Sequence, residues 1–219
     1  MNEHEFEPVH GLPERLPPGE RQLWQGSPQW QSLARRAFHA GPIAIYFGAL
    51  LAWRAGAALL AGDTIVQAAI AVLWLAPLAL AALGILVLMA WLSARTTVYT
   101  ITDRRVVMRV GIVLSVTFNL PFRVIHSAAL MTYADGTGDM PLTLAGEDRI
   151  SYLHLWPHAR PWRVARPQPM LRCLPAAASV AAILSRAVAA SQGSTIRQTA
   201  HSPASTVPAS ETRPLVAAR

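Results

Sequence analysis

The chain has 219 residues, 53% of them apolar and only 14% charged, where a soluble domain carries roughly 25% charged residues, so the composition points to a membrane protein. Its net charge of +7 comes wholly from arginine, there being no lysine, and favours anionic lipid headgroups or acidic protein surfaces as neighbours. A single cysteine, Cys173, excludes an internal disulfide and a cysteine metal cluster, and reads as an ordinary core or surface thiol.

Residues 1–41 make a polar, proline-punctuated N-terminal segment whose acidic start lacks the apolar core of a secretory signal. Leu16–Trp30 reads as a turn, a short apolar strand or extended piece, and a second turn. Trp24 and Trp30 are expected to dock on protein or at the membrane interface. Gln29–Phe38 predicts a short amphipathic helix that takes Arg35 and Arg36 to the membrane surface.

Residues 42–92 predict a two-helix transmembrane hairpin (42–61 and 65–92). Twenty residues of helix span about 30 Å, the thickness of the hydrocarbon layer. Arg54 lies past the midpoint of the first span. It would cost about 3 kcal/mol at the centre and less nearer an interface, and the Ile, Leu, Phe and Ala around it outweigh that. Two readings stand for Arg54: pairing with a partner helix or lipid phosphate, or snorkelling toward Asp63. Gly62-Asp63-Thr64 is a tight connection, and Thr64 with Gln67 fits a capping box. Ile65–Leu92 has no charge over 28 residues, about 42 Å of helix, so it must tilt, protrude or bend. Pro77 supplies a bend and Trp91 an interfacial anchor at the exit. Arg35 and Arg36 flank one end of the hairpin, Arg95, Arg104 and Arg105 the other, and the turn between the helices has no positive residue. By the positive-inside rule the protein is multi-pass with both termini cytoplasmic.

Residues 93–190 predict a cytoplasmic, mainly-β domain closed by a C-terminal helix. The short Ser93-Ala94-Arg95 link couples it to the membrane almost without a linker. Strands are expected at Thr96–Thr102, Arg105–Val110, Val113–Leu120, Ile125–Tyr133, Pro141–Leu144 and Ile150–Leu155, with turns at Asp103-Arg104, Gly111, 135–138 and 146–148. Spacing near ten residues suits a meander or open barrel. Trp156–Pro169 reads as an ordered loop, Pro175–Ala190 as a helix with an apolar stripe through Val180, Ile183, Leu184 and Val188, and 191–219 as a disordered tail.

Tyr99–Gly111 (Y-T-I-T-D-R-R-V-V-M-R-V-G) and L-P-P-G-E-R-Q-L-W-Q-G-S-P before the first span resemble signatures of the bacterial pleckstrin-homology-like (PH-like) domain of membrane proteins. Further segments, H-E-F-E-P-V-H-G-L-P-E-R-L-P (4–17), L-W-Q-G-S-P-Q-W (23–30), A-W-L-S-A-R-T-T-V-Y-T-I-T-D-R-R-V-V-M-R (90–109), D-G-T-G-D-M-P-L-T-L-A-G (135–146) and L-W-P-H-A-R-P-W-R (155–163), resemble the PuhB family of photosynthetic complex assembly proteins. That resemblance runs to about residue 190. It implies a PH-like fold and a non-enzymatic integral-membrane factor of the intracytoplasmic membrane. Its partners would be reaction-centre and core light-harvesting antenna subunits of a purple bacterium.

The residues themselves single out a candidate partner or lipid surface of Arg54, Arg104, Arg105, Arg109, Trp156, His158, Arg160, Trp162 and Arg163. His154, Trp156, His158 and Trp162 read either as a partner surface, Trp and Arg being enriched at hot spots, or as a loop packed on the domain's own sheet. H-x-x-x-H would suit a metal on a helix, but Pro157 spoils the geometry and no carboxylate lies nearby, so no metal is expected. Asp135–Asp139 is too lean in carboxylates for calcium. Neither span contains a histidine inside it, and His39 sits just outside the first, which confines pigment ligation to the edge. No cofactor is expected. No nucleophile–base or phosphate-binding motif appears, and no nucleic-acid motif either. The Ala/Gly-rich helix faces (Gly48, Ala52, Gly56; Ala79, Ala82, Gly84) are expected to let the hairpin pack beside transmembrane subunits, and a homodimer is a further candidate assembly. The rival reading is a membrane-anchored PH-like module that binds anionic lipid or another membrane protein through Arg104, Arg105 and Arg109.

Overall fold

The computed structural model describes residues 11–12, 14–145 and 150–200. Its two long helices follow from long apolar stretches, broken in the first only by Arg54. Helix α2 runs over Ala40–Leu60 and α3 over Ile65–Thr96, preceded by the short helix α1 at Trp30–Arg36. Thr64 caps α3 reciprocally: its hydroxyl accepts from the Gln67 N–H at 3.4 Å, and the Gln67 side-chain oxygen accepts from the Thr64 N–H at 2.7 Å. Both α2 and α3 are long and apolar enough to cross a membrane, and 6% of each apolar window is buried. Helical surface this apolar and this bare is at home in lipid, where it has no water to order.

Ala68, Ala79 and Ala90 recur every eleven residues on one face of α3 and are buried there, because eleven residues close three turns almost evenly. α3 packs on α2 and then on α1. At 32 residues it is about 48 Å long, well beyond a 30 Å hydrocarbon layer. The excess is taken up by the domain: Ala90, Ser93 and Ala94 are buried. A cluster of Leu33, Ala34 and Phe38 with Ala90, Ala94 and Cys173 seals α1 between α3 and the β-domain.

Strands β1 (Gln22–Gly26), β2 (Val98–Thr102), β3 (Arg105–Val110) and β4 (Val116–Pro121) form an antiparallel sheet in that order. β1 precedes the hairpin in sequence yet pairs with β2 after it, Gly26 facing Tyr99, so the hairpin is inserted between two neighbouring strands. The second sheet is centred on β7 (Gly138–Leu144). β5 (Ile125–Ala128) and β6 (Met131–Thr132) pair with it, and so does β8 (Met170–Leu174). Helix α5 (Ala177–Ala200) lays Ala177, Val180, Leu184 and Ala187 into the core with Tyr99, Ile101, Met108, Met140 and Leu171. Two apolar helices followed by a mainly-β domain closed by a C-terminal helix is the fold expected.

Several elements differ from the sequence expectation. Thr96 is the last residue of α3, so β2 starts at Val98. The strand expected from Val113 starts at Val116, after an exposed loop. Ile125–Tyr133 is two short strands rather than one. Ile150–Leu155 is no strand: Tyr152–Leu155 is a turn of helix, α4, whose N–H groups return to Ser151 and Tyr152 carbonyls. β7 already has partners on both edges, so no ladder position is open to it. Only Leu155 of that turn is buried, as a plug. β8 went unassigned because Arg172 interrupts a five-residue apolar run. The C-terminal helix starts at Ala177 and not Pro175, and it continues through 191–200, which had been expected to be disordered; 201–219 and the turn at 146–148 lie outside the described residues.

The N-terminal segment is tied down by charge. Glu20 accepts both Arg105 N–H groups, Nε at 2.8 Å and Nη2 at 2.9 Å, with the carboxylate almost fully buried. Arg105→Ala would leave that carboxylate without its partner. It should cost about 2 kcal/mol, below the figure for a fully buried pair because the guanidinium is partly solvated. Thermal unfolding in detergent should register the loss, and Glu20→Gln in the Arg105→Ala background should restore part of it.

Candidate functional site

Where α3 enters the domain, its last turn brings Ser93 and Thr97 inside. A hydroxyl with no water around it needs a partner, and both find it in His158. The imidazole Nε2 lies 2.9 Å from Thr97 Oγ1 and 3.4 Å from Ser93 Oγ. On the other side of the ring, Nδ1 is 2.6 Å from the Tyr99 hydroxyl. Tyr99 Oη accepts from the Arg172 backbone N–H at 3.2 Å, which leaves its own proton for Nδ1. This fixes His158 as the neutral Nε2–H tautomer, donating to Thr97.

Burial, and after it the nearby Arg172 charge, hold His158 down to about 3. Burial drives the Tyr99 phenol far above its usual value. Neither group titrates near neutral pH, and both are completely buried.

A second layer surrounds this one. β7 and β8 are out of register between Gly138 and Met140, where Asp139 stands opposite Arg172 and Cys173; the bulge re-aims those side chains into the interior. Asp139 accepts from the Cys173 N–H at 2.8 Å and from the Tyr133 hydroxyl at 2.8 Å, with Arg172 Nε 4.0 Å away. Burial first, and then its bond to Asp139, push the Tyr133 phenol up to about 12. Burial pushes the Cys173 thiol up to about 12 as well, so it is a core thiol without nucleophilic character. Arg172 donates to the Pro157 carbonyl at 3.0 Å and the Arg36 carbonyl at 3.3 Å. One buried cation thus ties β8 to the loop before His158 and to α1.

Asp135, in the β6–β7 turn, completes the joint from outside. It accepts from Ser32 at 3.0 Å, from Arg36 at 3.1 Å, and from the Thr137 hydroxyl and N–H at 2.6 and 3.1 Å. Thr137 foremost, then Arg36 and Ser32, hold its carboxyl well below the usual range. Arg36 also lies 3.4 Å over the Tyr133 ring. The two arginines of α1 therefore turn toward Asp135, at 3.1 and 3.7 Å, and Arg36 does not go to a membrane surface.

The nine residues singled out from the sequence do not form one surface. His158 is an interior residue, because Thr97 and Ser93 need its ring. Arg105 is committed to Glu20. Arg104 and Arg105 sit at the far end of the β2–β3 hairpin, whereas Arg109 pairs with Val98 beside the end of α3. One strand length, roughly 15 Å, separates them, so the trio cannot act as a single patch. Arg104 and Arg105 share an open groove of about 820 Å³ with Arg21 and Arg123, two cations the sequence reading did not single out. Trp156 packs edge-on against Phe38 at 5.3 Å while staying half exposed, and Trp162 is 94% exposed. Arg160 donates to Gln168 at 2.9 Å, and Arg163 is exposed. Arg54 is exposed on α2, six residues and thus about 9 Å from the end of the helix.

Chemically the buried joint is a clamp. Ser93 and His158 lie together but are both buried, and the Nδ1 position that a carboxylate takes in a Ser-His-Asp triad is held by the Tyr99 hydroxyl. The surface grooves are lined by other residues. Among the described residues no three His, Cys, Asp or Glu side chains gather as a metal site would require. A groove of about 610 Å³ between β5 and α5 is lined by apolar side chains including Ile125, Leu130, Ala181 and Val188. β5 is an edge strand there.

The family model of the bacterial PH domain matches residues 43–188, taking in both long helices as well as most of the strands. The chain is 42% identical over 196 residues to a Rhodobacter capsulatus protein named "Uncharacterized 23.7 kDa protein in puhA 5'region", an alignment that covers 87% of this chain and 90% of that one. No solved structure matches it.

The neutral buried imidazole sets the pH response. An unfolded histidine takes up its proton near 6.5 and His158 near 3, so between those values the unfolded chain binds more protons. Stability is full above pH 6.5 and falls with acidification, with a slope approaching roughly 1.4 kcal/mol per pH unit. Thermal unfolding in detergent from pH 8 to 4.5 should show this. His158→Asn should be less stable at pH 8 and flatter below 6.5; equal slopes would mean that His158 is not held neutral.

Proposed function

Because the chain belongs to the bacterial PH domain family, we propose that it is a non-enzymatic, membrane-anchored assembly factor for the photosynthetic reaction centre and its core light-harvesting antenna. The observation that carries this reading is the run of PuhB-like segments across residues 4–163. It is supported by the 42% identity to a protein whose name puts it in the puhA 5' region. In this reading both ends of the α2–α3 hairpin face the cytoplasm, and the domain lies against the cytoplasmic side of the intracytoplasmic membrane.

The geometry supports a holding role in two ways. Gly48, Gly56 and Gly84 have open space where a Cβ would stand, so a transmembrane subunit, or a second copy of this chain, can approach these backbones closely. Ala79 is not available for this, being buried. In the domain, the edge of β5 with the apolar groove beside α5 suits an extended segment of a partner added as a further strand. The clamp at His158 then transmits position: a subunit held by the domain is held at a fixed place relative to the hairpin.

A second reading, recognition of an anionic group, is favoured by the groove that sets Arg21, Arg104, Arg105 and Arg123 against the two carboxylates Glu20 and Asp103, of which Glu20 is paired with Arg105. Deleting the gene should lower the amount of assembled reaction-centre–core antenna complex while leaving pigment synthesis intact, and the full chain purified from mildly solubilised membranes should carry reaction-centre or antenna subunits. Normal complex levels in the deletion would overturn the assembly reading. Binding of the full chain to anionic liposomes that is lost in Arg104→Ala/Arg123→Ala, with no subunits co-purifying, would favour the second.

A further inference from the structure

The hairpin between β3 and β4 has an unusual tip. Tight hairpin turns are normally built from Gly, Asn, Asp and other polar residues, because the tip faces water. Here the sequence is Gly111-Ile112-Val113-Leu114-Ser115, with Val113 87% and Leu114 82% exposed and Ile112 beside them also exposed. Gly111 adopts φ +124°, and a Cβ there would collide with the Leu114 carbonyl. The chain therefore doubles back on itself in a fixed shape, with Val113 and Leu114 turned outward and Ile112 partly exposed beside them.

The position of that tip is set by register. Thr97 caps α3, Val98 begins β2, and Val98 faces Arg109. Val110 in turn faces Val116 across the hairpin. Ile112 thus lies three residues beyond Arg109, whose partner Val98 follows the end of the long apolar helix, and α3 touches β3. Along the same last turns of α3, Arg95 stacks over Trp91 at 5.3 Å, a pairing that suits the boundary between hydrocarbon and headgroups.

We propose that the Ile112–Val113–Leu114 tip inserts into the interfacial layer of the same bilayer that α2 and α3 cross. This rests on the reading of those helices as membrane spans. The occupant is lipid because the tip is joined through a rigid two-strand ladder to the point where α3 leaves the apolar layer. A partner protein would have to displace lipid at that place. The tip acts as a third foot beside the two helices and opposes rocking of the domain about the end of α3.

Depth-dependent quenching in the full chain reconstituted into phosphatidylcholine–phosphatidylglycerol vesicles tests this. Cys173 is buried, so single exposed cysteines can be labelled with an environment-sensitive fluorophore in its presence. Val113→Cys probes the tip, Trp74→Cys an exposed position of α3 about 14 Å from its start and so near the middle of a 30 Å layer, and Ser179→Cys an exposed position of α5 that lines none of the grooves. The label at Val113→Cys should emit to the blue of the one at Ser179→Cys. It should lose most of its fluorescence to a nitroxide placed near the headgroups. The label at Trp74→Cys should be quenched by a nitroxide near the chain ends. If the label at Val113→Cys is as unquenched as that at Ser179→Cys while the one at Trp74→Cys is quenched, the tip lies in water and the inference is overturned with the membrane reading intact. If the Trp74→Cys label is unquenched too, both fall.

Discussion

The structure depends on how the polar end of a long apolar helix is satisfied where it enters the β-domain. α3 carries Ser93 and Thr97 into a dry interior, where an unpaired hydroxyl would cost more than a hydrogen bond returns. His158 answers both with one ring nitrogen and spends the other on Tyr99. Since Tyr99 lies in β2 of the first sheet and His158 belongs to the loop bonded to β8 of the second, the end of the helix is stitched to both sheets at once. The ring must be neutral for this. Burial and the Arg172 guanidinium keep it so.

Arg172 is the costlier member of the arrangement. Its charge is buried, its Nε makes no hydrogen bond, and its carboxylate neighbour stands at 4.0 Å because Asp139 already serves Cys173 and Tyr133. A buried ion pair of this quality is weak evidence of stability. Its return is geometric: two carbonyls on separate segments, Pro157 and Arg36, converge on one fork. With Asp135 gripping α1 from the other side, the short helix, the long helix and the β-domain become one unit. A domain mounted in this way can present a groove or an edge strand at a set height and angle, which a flexibly tethered binding module cannot do.

Much of this was legible in the residues, and the parts that were not share a cause. The spans were plain because lipid demands long apolar runs, and the Thr64–Gln67 box marked the start of α3 because capping is local chemistry. The tyrosine–arginine strand pair at 99–111 was legible from β-branched spacing and from its family signature. What failed or stayed open depended on partners far along the chain. For His158 the residues left open a partner surface or a loop packed on the domain's own sheet, because its company in sequence is Trp, Pro and Arg. The second holds, and the neighbours that decide it, Ser93, Thr97 and Tyr99, lie 59 to 65 positions earlier. Met170–Leu174 hid as a strand because Arg172 breaks its apolar run, and that arginine is buried by acceptors distant in sequence. Arg104, Arg105 and Arg109 seemed one patch in a line of letters. The β2–β3 register set them a strand length apart, and Glu20, 85 positions earlier, claimed the middle one.

The central claim is that helix and domain move as one body. Spin labels at the exposed positions Leu88→Cys on α3 and Ser179→Cys on α5 report it directly. Their pulsed-dipolar distance distribution would be recorded on the full chain in lipid nanodiscs. The account predicts one narrow distance peak that broadens in His158→Asn. A broad distribution in the unmodified clamp, or one indifferent to His158, would contradict it.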